Sequence, residues 1–209
     1  MSTPSLKVVV AITSPIAFHQ LKNQSILSTC IKSAQSFVAS VGGSAHLAIA
    51  GAAEDLAKVA DIDCEKIECD PNKPAELATA IKKSTTADLV MIHDSQRPLT
   101  KQAQFERVYT ALTGDSDAVR PVSPFTETLK SIDDEGFIDE TIDRTSMMRI
   151  SSPELIRNSA IESDALASTW FVPLKSGAKT AVVEADADSA RINSEKEIEL
   201  MSYLLDWNK

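Results

Sequence analysis

The stretch VMIHDSQRPL, Val90–Leu99, places a histidine, a carboxylate and an arginine directly behind an apolar run. Ligands on open α/β sheets sit beyond the carboxyl ends of the strands, and His93-Asp94 falls where such a strand would end. A carboxylate there can hold Mg²⁺ or a sugar hydroxyl, and Arg97 can meet a phosphate with its planar fork. The plainer reading is a turn capped by Asp94, with Arg97 as a surface charge. Three further stretches carry polar groups that could do chemistry. VRPVSPFTETLK contains Arg120 and Lys130, and ETIDRTSMMRISSPE contains Arg144, Arg149, Ser151 and Ser152. EADADSARIN contains Asp186, Asp188 and Arg191 behind an apolar run. Taken singly, each of these three reads as a solvated loop. Met147-Met148 reads as core packing, and His19 and His46 have no partner at a catalytic spacing. No G-x-S-x-G, H-E-x-x-H or G-x-x-x-x-G-K-[ST] occurs.

The bulk composition narrows the class. A chain of 209 residues with 43% hydrophobic and 24% charged residues is expected to fold as one soluble domain. A net charge of -9 argues against a nucleic-acid surface, where a basic stripe is expected. It also opposes holding a polyanion unless cations are concentrated locally. Cys30, Cys64 and Cys69 form no C-x-x-C pair, so they read as small buried hydrophobes and not as a disulfide or zinc framework. There is no signal-peptide pattern and no apolar run long enough to cross a bilayer, so no membrane partner and a cytoplasmic setting are expected.

The positioning elements alternate. Val8–Ile12 reads as a buried parallel strand, followed by a helix from about Gln24 to Val41 whose apolar stripe includes Leu27, Ile31, Ala34 and Phe37. AHLAIAG, KIEC and ADLVMIHD read as further strands. Helices AAEDLAKVA, PAELATAIKKS and a Thr100-capped segment to Leu112 intervene. This order implies a doubly wound, mostly parallel sheet in a Rossmann-like three-layer α/β arrangement. Beyond DAVRPV, period-two alternation around Asp134–Gly136 predicts a hairpin arm over about residues 126–145. It has too little core to stand alone and is expected to project and pack on something such as a second subunit. SSPELIRNSAI is expected to open a helix, TAVVEA to form a late strand, and Ser194–Trp207 a closing helix with a Ser194/Glu197 capping box. The first strand raises a separate question. Turns that cradle phosphates after such strands are usually glycine-rich, yet no glycine precedes Gly42.

Taken together and in order, these segments resemble the 2-C-methyl-D-erythritol 4-phosphate cytidylyltransferase family. VMIHDSQRPLT is similar to its apolar strand, His-Asp, two small residues and Arg-Pro. AVRPVSPFTETLKSIDDEGFIDETIDR resembles its Pro-Val to Thr-x-(Asp/Glu)-Arg arm. SSPE stands where the family has Thr-Pro-Gln, VVEADADSARIN resembles its Asn-x-Lys segment, and NQSIL matches the start of its first helix. The resemblance implies a nucleotidyltransferase fold, a homodimer clasped by the arms, and attack of methylerythritol phosphate on the α-phosphate of CTP with Mg²⁺ present. On matching positions it implies Asp94, Arg97, Arg144 and Ser152 for the substrate, with Arg144 reaching across the dimer. It further implies Asp94 and Asp188 for the metal, and Arg191 as the catalytic cation in place of the family lysine.

Departures from the pattern fall on the nucleotide side. The family's Ala-Ala-Gly-x-Gly-x-Arg loop is cut down to Ala11–Ser14 followed by Pro15, and its next lysine falls on Ile16. In CDPNKPAE, Asp70 and Pro71 replace glycines, Lys73 replaces the arginine of the CTP side, and Glu76 replaces a serine. The family's Thr-Asp-(Glu/Asp)-Ala stretch has no counterpart around Ala167–Phe171. A family member with weak or lost cytidylyl transfer is therefore expected. The alternatives are a non-catalytic paralogue that binds a phosphorylated small molecule or a protein partner, and a nucleotidyltransferase for another sugar phosphate.

Overall fold

Leu6–Ala11 form β1, and every one of these residues is buried. The strand's two faces feed two different cores, as period-two geometry requires. Val8 and Val10 pack with one set of helices, while Val9 and Ala11 pack on the opposite side. The computed structural model describes residues 3–163 and 171–207 of the chain.

The main chain continues through β2 (Gln20–Leu21), β3 (Gln24–Ser25), α1 (Ile26–Val41), β4 (Ala45–Gly51), α2 (Ala53–Ala57), β5 (Glu65–Glu68) and α3 (Pro74–Ser84). After β6 (Leu89–Asp94) and α4 (Gln102–Thr110) come β7 (Ala118–Pro124), the pair β8 (Leu129–Ile132) and β9 (Ile138–Ile142), β10 (Met148–Ile150) and β11 (Glu154–Arg157). β12 (Thr180–Glu184) and α5 (Glu195–Trp207) close the described fold. The large sheet has the order β10-β7-β11-β6-β1-β4-β5, with β12 also pairing β7. β1 runs parallel to both β4 and β6. The sheet is mixed, since β10 and β11 join antiparallel. Leu27, Ile31 and Phe37 of α1, with Phe105 and Val108 of α4, cover one face. Leu77, Ala78 and Ile81 of α3 cover the other.

The expected elements are present with several corrections. The first helix begins at Ile26, because Ser25 takes the N-cap and accepts from the Ser28 N–H. Thr100 does not cap α4; Lys101 stands at that position. SSPELIRNSAI does not open a helix. Its Glu154–Arg157 segment is a strand between β6 and β7, followed by a single 3₁₀ turn. The physical reason is two-sided burial: Leu155 packs into one core and adjacent Ile156 into the other, which a strand permits. Met147 and Met148 are exposed and not in the core, because β10 lies at the sheet's end. Cys30 is buried, whereas Cys64 and Cys69 are only half-buried.

β8 and β9 pair only with each other among the described residues. Asp133 Oδ1 accepts from the Glu135 and Phe137 amides, and Gly136 takes a φ of +90° that completes the turn. The hairpin leaves Ile132, Phe137 and Ile138 each about two-thirds exposed, at 69%, 66% and 69%.

Candidate functional site

β1 is where the chain reverses direction across the sheet, with β4 on one side and β6 on the other. The crevice beyond the carboxyl ends of β1 and β6 is therefore the expected ligand position. His93 and Asp94 end β6 there, and both are fully buried.

Burying Asp94 is tolerated because its carboxylate is surrounded by donors. Oδ1 accepts from the Gln96 amide at 3.0 Å and lies 3.3 Å from the Thr13 hydroxyl. Oδ2 accepts from Arg191 Nε at 2.7 Å, with Arg97 Nε at 3.8 Å. Arg191 is bound in turn on every side. Its Nη2 donates to Gln96 Oε1 at 2.5 Å and to Thr13 Oγ1 at 3.3 Å, and its Nη1 donates to Asn193 Oδ1. Asn72 Nδ2 donates to the Thr13 carbonyl at 3.0 Å, fastening the segment before α3 to the first turn. The result is a closed lattice of side chains across the strand ends.

That first turn is built as core. Ser14 caps a 3₁₀ turn over Pro15–Phe18, and Ile16 and Ala17 are buried in it. Ile16 joins Leu21, Ile26, Leu99, Ile192 and Met201 in a small apolar cluster beneath α5. Glu197 of α5 returns its carboxylate to the Asn193 amide at 2.5 Å, so the acid of the expected capping box bonds one residue before Ser194.

Arg97 is buried at 8% exposure and is not a surface charge. Its Nη1 donates to the Ser189 carbonyl at 2.6 Å and its Nη2 to the Ile150 carbonyl at 3.3 Å. Burial pulls its pKa below the ordinary arginine value, opposed by Asp94 and assisted by Arg191 and Arg149. Ser152 is also buried, accepting from the Asp94 amide at 3.1 Å and lying 3.0 Å from His93 Nδ1. Burial depresses His93 to about 4, leaving a neutral imidazole against Phe105.

Arg97, Arg149 and Arg191 line a hollow of about 210 Å³ with Ser123, Ser151 and Ser189. Of the adjacent pair, Ser151 lines this hollow and Ser152 does not. Arg144 lies outside it, exposed at the base of the arm, where its Nη1 donates to the Thr126 carbonyl. Lys73 lies in front of α3, exposed and held by Glu76 at 2.8 Å and Asp70 at 3.8 Å. Asp188 is paired with Lys101 at 2.9 Å, and Asp186 with Arg107 at 2.5 Å. The stretch expected to lack a family counterpart around Ala167–Phe171 lies, up to Trp170, outside the described residues. A wider concavity of about 590 Å³ beside β5 has Lys66, Glu68, Glu76 and Lys83 among uncharged lining residues, so no single charge type converges there.

The donor set around Asp94 does not fit Mg²⁺. That ion demands a near-octahedral shell of oxygens, whereas both Asp94 oxygens already accept internal hydrogen bonds and face two guanidinium groups. Among the described residues, no three His, Cys, Asp or Glu side chains converge to hold a metal.

Several members of this arrangement escape sequence reasoning. Thr13, Asn72, Gln96 and Gln104 are uncharged and have ordinary neighbours. Gln104 is nonetheless buried, donating to the Ser152 carbonyl and accepting from the Asp186 amide. Gln104 precedes core Phe105 in α4, and only that placement hints at its role. Half-buried Arg120 pairs with fully buried Glu154 at 2.6 Å across β7 and β11.

Comparison with known proteins agrees with this architecture. A profile of the 2-C-methyl-D-erythritol 4-phosphate cytidylyltransferase family matches residues 10–196. A bifunctional enzyme IspD/IspF of Paramagnetospirillum magneticum is 30% identical over 131 residues, covering 59% of this chain and 34% of that protein. The 2-C-methyl-D-erythritol 4-phosphate cytidylyltransferase of Rhodococcus jostii is 33% identical over 87 residues, covering 39% and 38%. The alignments thus span little more than a third of either relative. Among solved structures, 4-diphosphocytidyl-2C-methyl-D-erythritol synthase from Anaerococcus prevotii superposes with a TM-score of 0.78 at 17% identity, over 97% of this chain and 99% of that one. The 2-C-methyl-D-erythritol 4-phosphate cytidylyltransferase from Thermus thermophilus gives 0.72 at 19% identity, over 95% and 98%. At these identities the structural likeness speaks for the fold.

Proposed function

The chain belongs to the 2-C-methyl-D-erythritol 4-phosphate cytidylyltransferase family, and we propose that it performs that family's cytidylyl transfer weakly or not at all while keeping a site for a phosphorylated small molecule. The observation that carries this reading is the first turn. Where the family resemblance calls for a glycine loop, an arginine and a lysine, this chain has Ser14 capping a 3₁₀ turn with Ile16 buried beneath it. No flexible backbone cradle for a triphosphate is available there.

The remaining cations support the same view. Arg191, at the position of the family lysine, is bound to Asp94, Gln96, Thr13 and Asn193. Lys73 is engaged by Glu76 and Asp70. Phosphoryl-type transfer relies on preorganised positive charge, and each donor removed typically costs about 10²–10³ in rate. Loss of several together would reduce the rate greatly without any change of fold.

The reading extends to a cytoplasmic homodimer in which the β8–β9 arm clasps a second copy. The exposed Ile132, Phe137 and Ile138 motivate the dimer, and Arg144 at the arm's base would then be offered to the partner's crevice. Among the described residues no helix is long and apolar enough to cross a membrane.

Nucleotide binding tests the proposal by linkage, since a ligand held by the folded state raises its apparent stability. Thermal-shift titrations with CTP, ATP, GTP and UTP, each with Mg²⁺, are expected to leave the melting temperature unchanged. A saturable rise with CTP would overturn the proposal. A rise with another triphosphate alone would move the assignment to a different nucleotidyl transfer.

A further inference from the structure

We propose that Gln96 is a specificity-determining residue: its buried amide holds Arg191 folded against the strand ends and withholds that guanidinium from diphosphate and triphosphate groups. This rests on the reading that the strand ends no longer serve a triphosphate. It deepens that reading by naming a residue outside the first turn that keeps such groups out.

The donors of Arg191 are the first support. Nε donates to Asp94, Nη2 to both Gln96 and Thr13, and Nη1 to Asn193, so all but one of its N–H donors are engaged within the chain. Gln96 is the nearer partner of Nη2, at 2.5 Å against 3.3 Å for Thr13. Its Oε1 thus takes the place on Nη2 that a phosphate oxygen would need. The Arg191 side chain is 28% exposed, so a ligand from solvent can reach it once that donor is free.

The second support is how firmly Gln96 itself is held. It is 2% exposed. Its Nε2 donates to the Ile192 carbonyl, and its own carbonyl accepts from the Ile192 amide at 2.9 Å. Its backbone amide donates to Asp94 Oδ1 at 3.0 Å, and its Oε1 also accepts from the Thr13 hydroxyl at 3.0 Å. Ile192 is fully buried in the cluster beneath α5, so the residue next to Arg191 is anchored. An amide held at both ends is a preorganised acceptor with little rotamer freedom left to lose.

The third support is what would hold Arg191 without that amide. Asp94 grips it through Nε alone at 2.7 Å, and Asn193 on its other side is exposed. A single ion pair at Nε acts as a pivot, about which the Nη groups can turn toward solvent. The fork that results is the shape that pairs with phosphate oxygens.

Isothermal titration of the full chain with pyrophosphate in EDTA, for the native protein, Gln96→Ala and Gln96→Ala/Arg191→Gln, tests this. Gln96→Ala should tighten pyrophosphate binding at least about tenfold, the scale of one charge-assisted hydrogen bond, and the double variant should lose that gain. Gln96→Met fills the same space without an amide oxygen and should show a gain too, with circular dichroism checking that each variant folds. A second readout needs no ligand. In nuclear magnetic resonance spectra of protein carrying labelled arginine, the Arg191 Nη protons should be resolved in the native chain and averaged by rotation in Gln96→Ala. An unchanged Kd in a folded single variant, a gain that persists without Arg191, or Nη signals already averaged in the native chain would overturn the proposal. Nucleotide-induced stabilisation of the native chain tests the activity reading separately, and either result can occur without the other.

Discussion

Asp94 and His93 show how a sequence signal for chemistry becomes a packed network. The Ser152 hydroxyl accepts from the Asp94 amide and has its own proton to give to His93 Nδ1. The neutral imidazole fits this arrangement. Desolvation lowers His93 to about 4, with Asp94 opposing and Arg97 assisting the shift. In the unfolded chain a histidine titrates near 6.5, so below that pH the unfolded state gains a proton that the folded state refuses. The stabilisation is present above pH 6.5 and is lost as pH falls toward 4. Between pH 7 and pH 5 this group should remove about 2 kcal/mol of stability. Denaturant titrations of the native protein and of His93→Gln at both pH values check it. The variant should show a shallower loss on acidification, and equal losses would rule out His93 as the source. Removing Arg191 acts on the same network by a different route, because it leaves Asp94 buried with less compensation.

At the scale of elements, the first turn packs as core while the arm stands out with apolar side chains exposed. The turn after β1, a place for ligand contacts, joins an apolar cluster in which a side chain such as Leu21 contributes roughly 1.5–3 kcal/mol by burial. The arm presents Phe137 and Ile138 to solvent, as an interface would. The double variant Phe137→Asp/Ile138→Asp should sediment as a monomer with its melting temperature changed little at low concentration, whereas the native chain should sediment as a dimer. Two monomers of equal size would remove the dimer proposal. β1, β4, β6, α1 and α3 were legible in the sequence because continuous apolar runs and helical stripes are local signals. β11 was not, because a four-residue segment opened by Ser-Pro-Glu has helix-start chemistry. Its strand state is imposed by the two neighbours it joins. In the site, Asp94, Arg97, Arg149 and Arg191 announced themselves by charge. Thr13, Gln96 and Gln104 did not, since a buried amide or hydroxyl is defined only by what folds around it.

Across the whole molecule, the family fold is retained, and the first turn is where the chain departs most from the family pattern. The sheet order and helical layers agree with solved cytidylyltransferase structures over nearly the whole chain. The first turn is filled by hydrophobic packing, and the acidic carboxylates at the strand ends are neutralised by internal cations. On the proposed reading the site divides, with the arginines of the small hollow serving a phosphorylated small molecule and the packed first turn no longer serving a triphosphate. Pyrophosphate release from CTP and methylerythritol phosphate, with Mg²⁺ and against a protein-free blank, tests that division most directly. A rate at or near the blank, below roughly 10⁻² s⁻¹, is predicted, since enzymes commonly turn over near 10 s⁻¹ and each lost donor removes about 10²–10³. Turnover on the order of 10 s⁻¹ would contradict it.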